Sequence, residues 1–274
     1  MMITIIIVVY KSDANKLNKL LRKIGNKYKI IIIDNSFNYN FNNIKITKKT
    51  KIVRSNNIGN GAGINLGIKE AKTPYALYFD IDVDFNKNLI KKLLLKIKEI
   101  KNFGILCPNN GRFNCKLKVV ENYEFEAPVM LFNIQEFKKI GLFDEKVFLY
   151  FEETDLFFKC KKNNKKVFIL TDLIINHFRS SSVSIIKKND INNKIMYLRH
   201  WHYMWSMFYY YKKNFGYLYG IKKTIKLFFK DSLMLIYFII TFEKKKKIIR
   251  LNRIMGLFSS YLLLKSYKRI DEIN

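Results

Sequence analysis

Cysteine is scarce in this chain, and what there is does not pair by spacing. Cys107, Cys115 and Cys160 are odd in number and contain no CxxC, which argues against a disulfide framework and a zinc knuckle and fits a reducing cytoplasm. Long apolar runs are also missing. The longest late run, Ser232 to Phe242, is too short to span a bilayer alone. The N-terminal stretch from Met1 to Tyr10 has no basic n-region and no small-residue cleavage site. It is expected to be a short, β-branched, buried strand rather than a signal peptide. Acidic residues are the other shortage: 22 Asp and Glu face 51 Lys and Arg, a formal net charge of +29. Abundant Lys, Asn and Ile, all favoured by AT-rich codons, account for part of that excess. The rest implies attraction to something anionic: a phosphate-bearing substrate, an acidic membrane surface or nucleic acid. No RNP, KH or helix-turn-helix signature supports the last of these.

What is present is enough for a core. The chain has 274 residues, 49% hydrophobic and 15% aromatic, which suits one large domain or one domain with a smaller appendage. Strand and helix alternate through the first hundred residues. Strands are expected near Thr4–Tyr10, Lys29–Ile33, Lys51–Arg54 and Tyr75–Phe79, and helices near Asp13–Lys23, from Ala62, and over Lys87–Ile100. Continuous apolar strands in βα repeats imply an α/β fold with a mostly parallel sheet covered on both faces. The middle, 103–180, is less regular, with short strands near Phe103–Cys107, Leu117–Asn122 and Pro128–Phe132, helices near Gln135–Ile140 and Glu152–Lys162, and a strand at Val167–Leu170. From Asn189 the chain reads as helical and aromatic. Residues 1–215 are expected to form the main domain, and 216–274 a basic tail of two amphipathic helices separated by Lys244–Lys247.

Ligands of open α/β sheets bind beyond the carboxyl ends of the strands. Three polar clusters stand there: Tyr10-Lys11-Ser12, Asp34-Asn35-Ser36 and Asp80-Ile81-Asp82. Carboxylates two apart after a strand can converge on a hard cation, Mg²⁺ or Mn²⁺, that bridges them to a diphosphate. Asp84 has the spacing to join them, and equally that of a solvated loop residue. The stretch from Arg54 to Gly67 is rich in glycine, which allows close backbone approach to an anion at a helix N-terminus. It is neither a dinucleotide fingerprint nor a P-loop; the alternative is a loop packed tightly under a helix. A third cluster comprises Phe143-Asp144-Glu145 and then Tyr150-Phe151-Glu152-Glu153-Thr154-Asp155. Its acids either complement a helix dipole or supply a general base for a hydroxyl nucleophile. His177, followed by Arg179 and Ser180 to Ser182, is a structural histidine or part of a phosphate-contacting loop.

In this order and spacing, the segments resemble family 2 glycosyltransferases, particularly the bacterial rhamnosyltransferase-like branch. The resemblance covers roughly 3–215 and rests on Val9-Tyr10-Lys11-Ser12, Ile33-Asp34-Asn35-Ser36, Asn57 with Gly59, Asn65 and Gly67, Asp80-x-Asp82, Gly141-Leu142-Phe143-Asp144-Glu145, Tyr150-Phe151-Glu152-Glu153-x-Asp155-Leu156, and His177 with its serines. It implies a GT-A fold and an inverting single displacement. Asp34 would contact the donor's base, with Tyr10 and Asn35 beside it. Asn57 to Asn65 would line the nucleotide-sugar pocket. Asp80 and Asp82 would hold the metal and diphosphate, and His177 would sit near the diphosphate. Glu153 matches the position of the base, where relatives commonly carry Asp, so Glu152 and Asp155 stay open as alternates. Many relatives have Asn-Pro-Asp where this chain has Asp80-Ile81-Asp82. The branch favours a dTDP-sugar such as rhamnose, with UDP-sugars open, and a glycan or lipid-linked acceptor in cell-surface polysaccharide synthesis. A cytoplasmic enzyme attached peripherally to the inner face of an anionic membrane would fit such an acceptor and the basic tail. Three competing readings are a sugar nucleotidyltransferase, an inactive transferase, and a basic RNA- or membrane-binding module. The first lacks its glycine- and lysine-rich signature after strand one, and the last leaves the ordered acids at strand ends unexplained.

Overall fold

The computed structural model describes residues 2–178 and 189–269. Its first strand, β1 (Ile3–Val9), is almost wholly β-branched and buried on both sides. Asp13 caps the following helix α1 (Ala14–Ile24), its carboxylate accepting from the backbone amides of Asn15 and Lys16, as an N-cap acid does. Then come β2 (Lys29–Asp34), β3 (Thr50–Arg54), α2 (Asn60–Glu70), β4 (Tyr75–Phe79), β5 (Val83–Phe85), α3 (Leu89–Glu99), β6 (Phe103–Asn109), β7 (Val119–Glu121) and β8 (Val129–Asn133). The order closes with α4 (Ile134–Ile140), α5 (Glu152–Lys162), β9 (Lys166–His177), α6 (Asn189–Phe215), α7 (Tyr217–Ile240) and α8 (Lys244–Tyr261).

The sheet runs β3-β2-β1-β4-β8-β6-β9-β5, with β7 on β9. Its first four strands are parallel, as the βα repeats predict. Beyond β4 it is mixed: β8 is antiparallel to both β4 and β6, β6 is parallel to β9, and β5 and β7 lie antiparallel on β9. Hydrophobic pattern sets which faces of a strand are buried but not its direction. This is an α/β architecture with a central sheet between helices.

Alternation in β1 divides the core. Ile3, Ile5, Ile7 and Val9 pack with Leu17, Leu20 and Leu21 of α1 and Leu93 and Ile97 of α3. Ile6 points to the other face, with Ile64 and Ile68 of α2 and Phe132, Phe137 and Phe157. The glycine-rich stretch lies mostly inside α2, and its glycines serve this packing. A Cβ on Gly67 would come within 2.6 Å of Ile6 Cγ2, so only glycine lets the helix settle this low on β1.

The described residues form two compact units. One takes in the chain through Phe143 and again from Glu153 to the end of β9; the other takes Asp144–Glu152 and everything from α6 onward. The position 215/216 expected as a boundary falls between α6 and α7, inside the second unit. Within that unit the three long helices pack on one another around Met204, Phe208 and Leu257. A Cβ on Gly256 would meet the Trp201 carbonyl oxygen at 2.2 Å, which requires glycine at the α6–α8 crossing. The lysine run does not separate two helices; Lys244–Lys247 is the first turn of α8, and the break is at Thr241–Glu243.

Candidate active site

The end of β4 turns sharply because the chain must reach β5. Asp80 follows the buried strand, and its backbone amide donates to the Pro128 carbonyl at 2.8 Å. Two residues earlier on the same strand, Tyr78 points the same way, as a period of two requires. Its hydroxyl donates to Asp80 Oδ1 at 2.5 Å and accepts from the Asn60 amide nitrogen at 3.0 Å. Burial, and after it the Asp82 carboxylate, push Asp80 up to about 6 against the lowering bond from Tyr78. Part of the Asp80 side chain, 31%, still reaches solvent.

Asp82 and His177 are brought together by strand register. Val83 of β5 pairs with His177 at the end of β9, and the Phe178 amide donates to the Asp82 carbonyl at 3.1 Å. The His177 Nε2 then lies 3.1 Å from Asp82 Oδ1 and 4.0 Å from Asp80 Oδ2. Its Nδ1 lies 3.3 Å from Glu126 Oε1, though buried without hydrogen-bond alignment. Burial acts to lower the imidazole's pKa, but Asp82, Asp80 and Glu126 outweigh it and the net direction is up. Three carboxylates around one imidazole make an electronegative pocket at the sheet's carboxyl edge. Ligand atoms of Asp80, Asp82 and His177 all lie within 4.8 Å of one another. Two hard oxygen donors with an imidazole suit Mn²⁺ or Mg²⁺. Asp84 does not join them; it binds the Lys23 ammonium, which lowers its pKa.

Glu153 stands in the first turn of α5, and its Oε2 accepts from the Ala127 amide at 3.2 Å. Ala127 precedes Pro128, the backbone partner of Asp80, so adjacent residues ahead of β8 hold the Glu153 carboxylate and the Asp80 backbone. Asp155, the alternate to Glu153, is 1% exposed and its carboxylate lies 3.8 Å from Lys159. Glu152 is half-buried at the start of α5. Just before it, Tyr150 and Phe151 both adopt φ of 67°, a conformation costing non-glycine residues about 1 kcal/mol or more each. Rings hold them there: Tyr203 against Tyr150 at 5.6 Å and Tyr210 against Phe151 at 5.6 Å.

The remaining residues singled out by sequence shape the surrounding loops. Asp34 is fully buried. Its carboxylate accepts from the Ser36 amide and hydroxyl at 2.9 and 2.7 Å and from the Tyr39 amide at 2.9 Å. Asn35 donates to the Gly59 carbonyl at 2.9 Å and accepts from the Ser55 hydroxyl at 2.8 Å, tying the end of β2 to the N-cap of α2. Asn65, also fully buried, clamps the Phe143 backbone by two bonds of 2.9 Å. Asn57 is part-exposed in the turn before α2. Tyr10 is part-exposed at the end of β1; its backbone amide donates to Ser12 Oγ at 3.1 Å, and the Lys11 ammonium lies 5.4 Å from its ring centroid. Asp144 belongs to the second unit, bonded to the Tyr209 hydroxyl at 2.9 Å and Lys213 at 2.8 Å. Arg179 and the serines beside it lie outside the described residues. Tyr78 and Glu126 were not singled out from sequence, and Asn60 only as part of the stretch from Asn57 to Asn65. Tyr78 carried a usable signal, two residues before Asp80 on the same strand face; Glu126 is 51 positions from His177 and carried none.

The family model for glycosyl transferase family 2 matches residues 4–188. No protein of curated function matches the sequence. Among solved structures, the chain is similar to Staphylococcus aureus TarS 1-349 in complex with UDP-GlcNAc. The identity is 15% and the TM-score 0.53, over 98% of this chain and 93% of that one. It is also similar to GalNAc-T7 with UDP, GalNAc and Mn²⁺, at 13% identity and a TM-score of 0.53, over 65% of this chain and 44% of that one. This chain thus aligns to less than half of the GalNAc-T7 chain.

Proposed function

This chain belongs to glycosyl transferase family 2, and from that premise we propose that it moves a hexose, rhamnose or a similar sugar, from a dTDP- or UDP-sugar to a glycan or lipid-linked acceptor, with inversion at the transferred carbon. The carrying observation is the convergence of Asp80, Asp82 and His177 at the sheet's carboxyl edge, with Glu153 fastened one residue from the backbone partner of Asp80. The complexes of TarS with UDP-GlcNAc and of GalNAc-T7 with UDP, GalNAc and Mn²⁺ support the donor class and the metal.

Glu153 takes the proton of the acceptor hydroxyl as that oxygen bonds to the anomeric carbon, and the bond from that carbon to the diphosphate oxygen breaks on the opposite face. The Ala127 amide fixes one oxygen of Glu153 and so orients the carboxylate. Asp80, Asp82 and His177 would hold Mg²⁺ or Mn²⁺, which would supply charge stabilisation to the leaving diphosphate. Asn35 fixes the loop ahead of α2, where Asn57 and Gly59 border the donor. Asp34 acts on the base side through the shape of the Ser36–Tyr39 loop it organises. A lipid-linked acceptor places the enzyme peripherally at the inner face of the cell membrane, with 216–274 as the attaching segment.

Thermal unfolding with Mn²⁺ and dTDP, UDP, GDP, CMP or ATP tests this reading, because a ligand that binds only the native state raises the midpoint. A metal-dependent rise with dTDP or UDP is expected. A folded sample that no nucleotide stabilises would overturn it.

A further inference from the structure

We propose that the C-terminal half of α7 and the turn after it dock on an anionic lipid bilayer, with the lysine run of α8 flanking the contact. The inference rests on the reading above for the place of the acceptor, but vesicle binding needs neither donor nor acceptor, so the two can fail separately.

The outward stripe of α7 changes character along its length. Lys222, Lys226 and Lys230 occupy it as far as its middle. Beyond Lys230 every exposed position of the helix is apolar: Leu233, Ile236, Tyr237, Ile239 and Ile240. Leu233 is 68% exposed, Ile240 69%, and Phe242 in the turn 92%. The other side of the helix is satisfied within its own unit. Gly220, Thr224 and Phe238 are buried there, and the Asp231 carboxylate takes Arg250 at 2.6 Å and Arg253 at 2.7 Å, pinning α7 to α8. The exposed stripe is therefore a presented face rather than a loosely packed one. Water-facing surfaces rarely carry contiguous apolar residues of this size unless something covers them.

Charge identifies the covering partner. Between Gly216 and Arg269 the sequence has 13 Lys and Arg against two acids, Asp231 and Glu243. Asp231 is spent on the two arginines and Glu243 pairs with Lys246 at 3.0 Å. Exposed lysines at 244–247 thus stand directly beside Phe242, the arrangement of an interfacial anchor: apolar side chains enter the acyl boundary while ammonium groups meet anionic headgroups. Tyr237 suits the boundary itself, with an apolar ring and a polar end. No described helix is long and apolar enough to cross a membrane, so α7 lies on the bilayer.

Cosedimentation of the full chain with vesicles of phosphatidylcholine, with and without phosphatidylglycerol, tests this. Binding is expected only with phosphatidylglycerol and is expected to weaken as salt rises. Leu233→Glu with Ile240→Glu should weaken it about tenfold or more at an unchanged unfolding midpoint. Phe242→Ser, at a position with no packing to lose, should weaken it in the same direction and guards against misfolding of the double variant. Glu153→Gln should bind as wild type does. Wild-type protein that ignores anionic vesicles, or variants that bind as tightly as wild type, would overturn the proposal. So would a lipid-free dimer that the double variant abolishes, since the stripe would then face a second copy.

Discussion

Asp34 and Asp80 both end a buried, β-branched or aromatic parallel strand on the same edge of the sheet, and their sequence settings look alike. Their electrostatic positions are opposite. Three donors from the Ser36–Tyr39 loop occupy the Asp34 carboxylate. Asp80 receives one hydroxyl from Tyr78 and faces a second carboxylate in Asp82. The chain after β2 folds back to supply amides, whereas the chain after β4 enters β5 and supplies another acid. A strand-end acid that its loop satisfies builds the scaffold. One that its loop leaves beside another acid is poised for a cation, and the fold bears the repulsion until one arrives.

The largest expected effect concerns the acid outside both groups. Glu153→Gln keeps the Ala127 contact but cannot take a proton. Sugar transfer should fall about 10²- to 10⁴-fold with the unfolding midpoint unchanged; near wild-type turnover would remove Glu153 as the base and reopen Glu152 and Asp155. Next, Asp82→Asn keeps an acceptor for His177 while removing charge. Transfer should drop on the order of a hundredfold, whereas metal-free stability should hold or rise as repulsion with Asp80 is relieved. Asp34→Ala should do the reverse, costing about 2–3 kcal/mol in chemical denaturation because buried loop donors lose their acceptor. Equal stability losses at positions 34 and 82 would break the comparison. The smallest effect is a pH dependence. Proton and cation compete for Asp80, and the proton is held below about 6. The Mn²⁺-dependent part of the nucleotide-induced midpoint shift should therefore be small near pH ~5 and grow as pH rises through that value. Asp80→Asn should abolish the metal-dependent part throughout.

Much of this was legible in the sequence because it is local. Helical period and an acid cap mark α1, unbroken β-branched runs mark β1 and β2, and Glu152–Lys162 is the observed span of α5. Asp80-x-Asp82 is visible as spacing after a strand. What was not legible depends on contacts between distant segments. The role of Gly67 emerges only when Ile6 is beneath it. Asn65 reads as a pocket residue until Phe143 is placed against both ends of its amide. The strand expected at Val167–Leu170 runs on to His177 because β5 pairs with Ile175–His177 and Asn109 of β6 with Ile174, partners that lie far away along the chain.

That last extension makes the site sensitive to chain length as well as to composition. Side chains alternate along a strand, so an insertion or deletion of one residue between Leu170 and His177 would turn the imidazole to the opposite face of β9. Every residue of the cluster would still be present, and a motif comparison would score the chain unchanged. A family member that has drifted by one position here would keep the vocabulary of a transferase and lose its grammar, so strand length belongs beside residue identity when active and inactive members are told apart.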